Sequence, residues 1–390
     1  MNILMISPQY KPIIGGYERA AERLSATLAA RGHEVTVATE RRDQRWPRRE
    51  RQDGVEVRRW FCLYRPKVHI VSSLAALFWF LLRKGRGFEV WHVHQYGPHA
   101  ALSVAMAKLL RRPVVVKLTN SGKQGINSTL SQGRFPRLMT YLHRKVSAIV
   151  ALTRETAAEA VAFGIAPERI MVLGNGVDTE DYRPRSEAER QVLRHSLGIT
   201  APHCLVMVGR LSPEKNVAGL IRAWALAVPQ LGAGWQLVIV GDGALRDALS
   251  AYCAELLVAG SVRLVGQQPN IADWMGAAEG YVLTSDNEGM SNAMLEAMST
   301  GLPILCTQVF GTAELVSGPG CGLVVPVGDM VAFAAAMVTC AANPKARQAM
   351  GDNARKVIED QFSIERIAAS YERLYCSLTD PTATAPKVVQ

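Results

Sequence analysis

The chain predicts an α/β fold of two doubly wound, Rossmann-like domains facing each other across a cleft. Three observations carry this reading. A length of 390 residues suits two ordinary domains better than one. Short β-branched runs alternate with helix-length amphipathic stretches along the chain. The alternation comes in two successive sets, each sufficient for its own parallel sheet.

The first set of strands is Asn2–Ser7, Glu34–Thr39, Val55–Phe61, Val90–His94, Val114–Leu118, Ala148–Leu152 and Ile170–Leu173. The second is Leu205–Val208, Leu237–Val240, Val262–Val265, Gly280–Leu283, Ile304–Cys306 and Leu323–Val325. Several are apolar without alternation, the pattern of strands covered on both faces. Helical patterns lie between them, such as Glu18–Arg31, closed by Gly32, and Val217–Leu231. The boundaries expected are a first domain over 1–182, a second over 183–362 and a last helix over 363–378. The tail 379–390, rich in Pro, Thr and Ala, is expected to be disordered.

Composition excludes several classes. Seven scattered cysteines show no CxxC and no Cys/His ligand spacing, so a disulfide framework or a zinc site is not expected. Reduced buried thiols in a cytoplasmic protein are the expectation. No basic region precedes the apolar run at Asn2, so no signal peptide is read. Charge is divided unevenly: residues 1–184 carry 29 Lys and Arg against 15 Asp and Glu, and the remainder 15 against 19. A basic half suits anionic lipid, nucleic acid or a phosphorylated substrate. Nucleic acid is set aside for want of any finger spacing, RNA-recognition signature or basic heptads.

Four stretches carry chemistry. Leu283-Thr-Ser-Asp-Asn-Glu-Gly-Met-Ser-Asn-Ala-Met-Leu-Glu296 reads as strand, loop and helix start, with Glu288 in the loop and Glu296 about one turn inside the helix. The amides around Gly289, Met290, Ser291 and Asn292 would be unpaired at that helix start and suited to a diphosphate. A helix cap with one solvent-facing glutamate is the plainer alternative. In Val208-Gly-Arg-Leu-Ser-Pro-Glu-Lys-Asn216, Arg210 and Lys215 could grip the same phosphates through charge-assisted bonds, unless Lys215 is a solvated first-turn residue. Gly15 and Gly16, after the first strand, would let backbone approach a ligand closely. A G-x-G-x-x-G fingerprint is absent, including at Gly241-Asp-Gly243, which disfavours a nicotinamide enzyme. Val90-Trp-His-Val-His94 places His92 and His94 on one face; without a third ligand they suggest no metal.

Taken in order, Gly15-Gly16, His94, Asn175-Gly-Val-Asp178, Gly209-Arg-Leu-x-x-Glu-Lys215, Val240-Gly-Asp-Gly243 and Glu288-x7-Glu296 resemble the family 4 retaining glycosyltransferases of GT-B fold. The resemblance implies that Arg210 and Lys215 bind the donor diphosphate and Glu296 the ribose. It implies that Glu288 and the amides of Gly289–Asn292 hold the donor sugar and phosphate, with Gly16 completing the phosphate cradle from the first domain and Gly15 beside it among the donor-binding residues. His94 would correspond to the histidine near the reacting sugar, and the last helix would cross back to the first, acceptor-side domain. Base contacts are expected around Val265 and Gln267. Met290-Ser291 stands where many members carry Phe-Gly, which puts the shape of the sugar pocket in question.

The function expected is therefore retaining, metal-independent and cofactor-free transfer of a hexosyl group. A UDP-sugar is expected over GDP-mannose as donor, and a glycan or polyprenyl-linked sugar as acceptor. The rivals are a phosphorylase or nucleotide-sugar epimerase of similar fold, and a non-catalytic sugar-nucleotide sensor. Val68–Leu82 is an apolar run followed by Arg83, Lys84 and Arg86, too short for a bilayer span. It reads either as a core helix or as an interfacial helix on an anionic membrane, in which case the arginine-rich run Arg41–Arg51 would add to the field and the protein would sit peripherally on the inner face.

Overall fold

The structure is a computed structural model describing residues 1–13, 15–65, 68–119, 125–126, 136–309 and 311–380. The chain forms two compact units: Met1–Gly176 together with the chain from Ile364 onward, and Val177–Ser363.

Unit 1 is built on eight strands: β1 (Asn2–Ile6), β2 (Glu34–Arg41), β3 (Arg49–Gln52), β4 (Val55–Phe61), β5 (Val90–His94), β6 (Val114–Leu118), β7 (Ala148–Ala151) and β8 (Ile170–Val172). Their order is β3-β4-β2-β1-β5-β6-β7-β8, with every pairing parallel except β3 on β4. Its described helices before the first crossing between units are α1 (Gly16–Ala30), α2 (His69–Lys84), α3 (Pro98–Leu110), α4 (Pro136–His143) and α5 (Arg154–Ala162). Unit 2 carries β9 (His203–Val208), β10 (Trp235–Val240), β11 (Val262–Gly266), β12 (Gly280–Leu283), β13 (Ile304–Thr307) and β14 (Gly322–Val325), all parallel, in the order β11-β10-β9-β12-β13-β14. Its helices are α6 (Glu187–Ser196), α7 (Val217–Leu231), α8 (Arg246–Glu255), α9 (Ile271–Gly276), α10 (Asn292–Ser299), α11 (Ala313–Ser317), α12 (Met330–Ala342) and α13 (Pro344–Val357). The last helix, α14 (Ile364–Thr379), returns to unit 1.

The apolar, non-alternating runs form central strands because each strand feeds two cores. Leu4 and Ile6 of β1 join Trp91, Val93 and Val116 under α2 and α3, whereas Ile3 and Met5 join Val90 and Val115 under α1 and α14. In β9, Cys204 and Val206 meet the α10 side while Leu205 and Met207 meet the α7 and α12 side. Each such side chain, fully buried, contributes about 1.5–3 kcal/mol.

The division falls at Gly176/Val177 and not at 182/183. Residues 177–182 are held by unit 2: Val177 N–H donates to Phe362 O (2.9 Å), and Arg355 Nη1 donates to the carbonyls of Thr179 (3.1 Å) and Tyr182 (2.9 Å). The last helix begins at Ile364, and most of the tail, 381–390, lies outside the described residues. The strand β3, Arg-Glu-Arg-Gln, is an addition to the expected set. It is a charged edge strand, whose composition hides it from a hydrophobic reading and protects the sheet edge.

The seven cysteines are free thiols, six of them buried. Among the described residues no helix is long and apolar enough to cross a membrane.

Each sheet has one point where the strand order reverses, between β1 and β5 in unit 1 and between β9 and β12 in unit 2. Ligands of doubly wound sheets bind at the carboxyl ends of the strands flanking such a point.

Candidate active site

In unit 2 the loop after β9 carries Arg210 and Lys215, and the loop after β12 carries Glu288. Lys215 sits in a 3-10 turn (Pro213–Lys215) ahead of the α7 cap, not in the first turn of α7. Asn216, at φ 47, caps α7 by accepting from Gly219 N–H (3.1 Å) and donates through Nδ2 to Asp286 Oδ1 (2.9 Å). Thr284 Oγ1 donates to Asn216 O (3.0 Å), and Thr307 Oγ1 donates to Ser285 O (2.6 Å). The two loops are thereby stitched together, and Lys215 Nζ forms an ion pair with Glu288 Oε2. Arg210 is exposed, and no described residue forms an ion pair with it.

Glycines set the path of the Arg210 loop. Gly241, at φ 145, lies so close to Gly209 O that a side chain there would overlap it, and Gly243 stands likewise against Leu211 O. Leu211 N–H donates to Asp242 O (3.0 Å) and Gly241 N–H to Gly266 O (2.8 Å). Val240-Gly-Asp-Gly243 is thus a backbone rest for the phosphate-side loop, and it joins that loop to the end of β11. Val265 is half-buried there and accepts from Gln268 Nε2 (2.9 Å), while Gln267 is exposed.

The helix α10 starts where the sequence places it. Ser291 is its cap, with Oγ accepting from Met294 N–H (3.3 Å). Gly289, Met290 and Asn292 are half-buried around that start, and Glu296 is buried in the second turn. Beneath it lies Tyr281, whose hydroxyl donates to Val208 O (3.3 Å). Burial, and then the Glu288 carboxylate, holds this phenol well above its ordinary range.

In unit 1, Gly15 caps α1 with extended backbone and Gly16 opens the helix. The Glu18 carboxylate packs against Gly15 so closely that any side chain at 15 would displace it. An anionic group of the protein itself therefore stands at the helix start expected to cradle phosphate. His94 ends β5 beside the reversal point, fully buried, and among the described residues neither ring nitrogen has a hydrogen-bond partner. Its ring stacks on His92 (4.4 Å), and His92 Nδ1 shares a hydrogen bond with Tyr375 Oη of α14 (2.6 Å). Burial, reinforced by Lys117, pushes His94 down to about 3, so the imidazole is neutral. Lys117 is itself buried at the end of β6. Its amine donates to Asn175 Oδ1 (2.7 Å), and burial pushes it down to about 7.

Two family profiles match this sequence: Glycosyltransferase Family 4 over residues 14–181 and Glycosyl transferases group 1 over residues 189–357. The chain belongs to the family 4, group 1 glycosyltransferases. Its relatives include N-acetyl-alpha-D-glucosaminyl L-malate synthase of Bacillus anthracis, 23% identical over 371 residues, covering 93% of this chain and 94% of the relative. UDP-Gal:alpha-D-GlcNAc-diphosphoundecaprenol alpha-1,3-galactosyltransferase of Escherichia coli is 31% identical over 220 residues, 54% of this chain and 55% of the relative. The crystal structure of Anabaena Alr3699/HepE in complex with UDP-glucose superposes with a TM-score of 0.80 at 21% identity, covering 97% of this chain and 100% of that one. The fold of this glycosyltransferase is GT-B.

Within unit 2 the structure brings together Lys215 and Glu288, and it sets Arg210 and the α10 start on the two loops flanking the reversal point. Sequence reasoning missed the side chains that hold the unit 2 loops in shape, Tyr281, Asn216, Thr284 and Thr307, and, in unit 1, those around His92 and His94, Lys117 and Tyr375. Only Lys117 left a signal, a lysine inside the apolar run Val114-Val-Val-Lys-Leu118.

Proposed function

We propose that this glycosyltransferase transfers a hexosyl group with retention from a nucleotide diphosphate sugar, with a UDP-sugar favoured, to a glycan or lipid-linked sugar acceptor in glycan assembly. The observation carrying this reading is the Lys215–Glu288 pair at the strand-order reversal of unit 2, beside Arg210 and the α10 start. When the anomeric carbon–oxygen bond breaks, negative charge develops on the departing diphosphate. Arg210, Lys215 and the amides of Gly289–Asn292 are the groups to meet that charge, a preorganised electrostatic form of catalysis. Two cations and a helix end supply what a divalent ion would otherwise provide, so the transfer is metal-independent. Lys215, on turning to phosphate, releases Glu288 to accept hydroxyls of the donor sugar, while Glu296 serves the ribose. Retention, taken from the family resemblance, requires the acceptor to attack from the face the diphosphate leaves.

The donor preference is supported by HepE, whose structure holds UDP-glucose, and by the UDP-Gal named for the Escherichia coli relative. That relative's diphosphoundecaprenol acceptor supports a lipid-linked one here. The face of α2 supports a peripheral position on an anionic membrane on the cytoplasmic side. Val71 and Trp79 are 69% and 53% exposed, Leu82 continues their stripe, and Arg83 lies 5.2 Å over the Trp79 ring.

Thermal-shift screening against UDP- and GDP-sugars, followed by acceptor-dependent nucleotide release, tests the reading. A UDP-sugar raising Tm, with release only when a polyprenyl-diphosphate sugar is added and an α-linked product from an α-donor, is the expected result. Acceptor-independent conversion of the donor would instead identify an epimerase, and binding without turnover a sensor.

A further inference from the structure

Outside the residues assigned to transfer, unit 1 gathers a carboxylate, a thiol and an imidazole from three elements. Glu40 is the penultimate residue of β2, Cys62 follows β4, and His69 opens α2. Their ligand atoms all lie within 4.8 Å of one another. We propose that Glu40, Cys62 and His69 form a zinc-binding site that clips the start of α2 to β2.

The donor set is the argument for the metal. One oxygen, one thiolate sulfur and one imidazole nitrogen suit a borderline-soft, tetrahedral ion, with a fourth position left for water. His69 Nε2 and Glu40 Oε2 are 3.0 Å apart, a spacing that two ligands of one zinc ion also adopt. The carboxylate is already aimed: Ser73 Oγ donates to Glu40 Oε1 (2.6 Å) and itself accepts from Trp60 Nε1 (2.9 Å). Arg42 Nε donates to Oε2 (2.8 Å), which leaves that oxygen a second lone pair. Such supporting bonds are what fix a ligand in a metal site. Glu40 and Cys62 are buried, whereas His69 is half-buried and gives the ion its way in. On binding, the His69 Nε2–Glu40 hydrogen bond gives way to the metal, with neutral His69 lending it the Nε2 lone pair. The imidazole keeps its proton on Nδ1, and the Cys62 thiol yields its proton to solvent.

The cysteine spacing gave no hint of this, because each ligand comes from a different element. The proposal rests on the cluster alone and stands whether or not α2 meets lipid.

The test loads the full-length protein, freed of metal by chelation, with Co²⁺ and then Zn²⁺, and reads metal content after gel filtration. One retained equivalent, a thiolate-to-cobalt charge-transfer band and a zinc-dependent rise in Tm are expected. The band should vanish in Cys62→Ser, retention should be lost in His69→Ala, and Ser73→Ala should weaken binding by roughly 10–100-fold. Failure of the unaltered protein to retain metal, or equal retention and an unchanged band in His69→Ala, overturns the site. If Cys62→Ser does not fold, His69→Ala at its half-exposed position decides alone.

Discussion

Lys215 and Glu288 hold each other's charge at the ends of two adjacent strands, and that pairing makes their separate removal informative. Lys215→Ala and Arg210→Ala should each lower kcat/KM by about 10²–10³-fold, the usual effect of losing one donor to a developing oxyanion. Steady-state kinetics with unchanged circular dichroism checks this, and near-normal rates in both variants would remove the assignment. Glu296→Ala should raise the donor KM, since ribose binding is common to ground and transition states, whereas Glu288→Ala should mainly lower kcat. Lys117 makes a prediction about stability. Burial pushes its amine down to about 7, while an unfolded lysine titrates near 10.4. Between those values the unfolded chain binds a proton that the folded chain does not, so this group's contribution to stability rises with pH. The stability of Lys117→Met relative to the unaltered protein should therefore fall by about 2 kcal/mol from pH 7 to pH 9, read by denaturant titration at each pH. A constant difference would show that the amine stays charged.

At the scale of elements, the two loops after β9 and β12 set the donor side together with the start of α10. The Arg210 loop follows its path because Gly241 and Gly243 allow backbone to rest on backbone. Gly241→Ala, at a φ of 145 and against Gly209 O, should cost at least about 2 kcal/mol of stability and weaken nucleotide binding measured by calorimetry. Gly260→Ala, where an added Cβ meets nothing, should stay within about 0.5 kcal/mol. The arginine-rich run at 41–51 is the element that sequence reading placed least well. Much of its charge is answered within unit 1: Arg42 pairs with Glu40 (2.8 Å), Arg45 with Asp43 (2.6 Å) and Arg49 with Glu56 (2.5 Å). Two of these carboxylates lie two residues away along the chain and Glu56 is brought by strand pairing; a count of the arginines alone overlooks all three. The stripe on α2 is the better ground for a lipid-facing surface.

At the scale of the whole molecule, the basic half of the sequence and the acidic half belong largely to different units. Co-sedimentation should show salt-sensitive binding to anionic vesicles, weakened when Arg83, Lys84 and Arg86 are reversed to glutamate. Equal binding to anionic and neutral vesicles at low salt would leave a water-soluble acceptor as the better reading. Transfer should persist in excess chelator. Recovery by Mg²⁺ or Mn²⁺ after a loss would overturn metal-independent transfer, whereas recovery by Zn²⁺ alone would point to the clip on α2.

The sequence by itself determined the α/β class, nearly every central strand and the residues flanking the reversal point of unit 2. Buried parallel strands and helix starts are written in local runs of apolar, glycine and capping residues, so a linear reading recovers them. Only the tertiary structure decided which charges face one another. It paired Lys215 with Glu288, buried His94 beside Lys117, and gathered Glu40, Cys62 and His69. Those contacts join residues from separate strands and loops, and burial and electrostatics act on distance in space, not on separation along the chain.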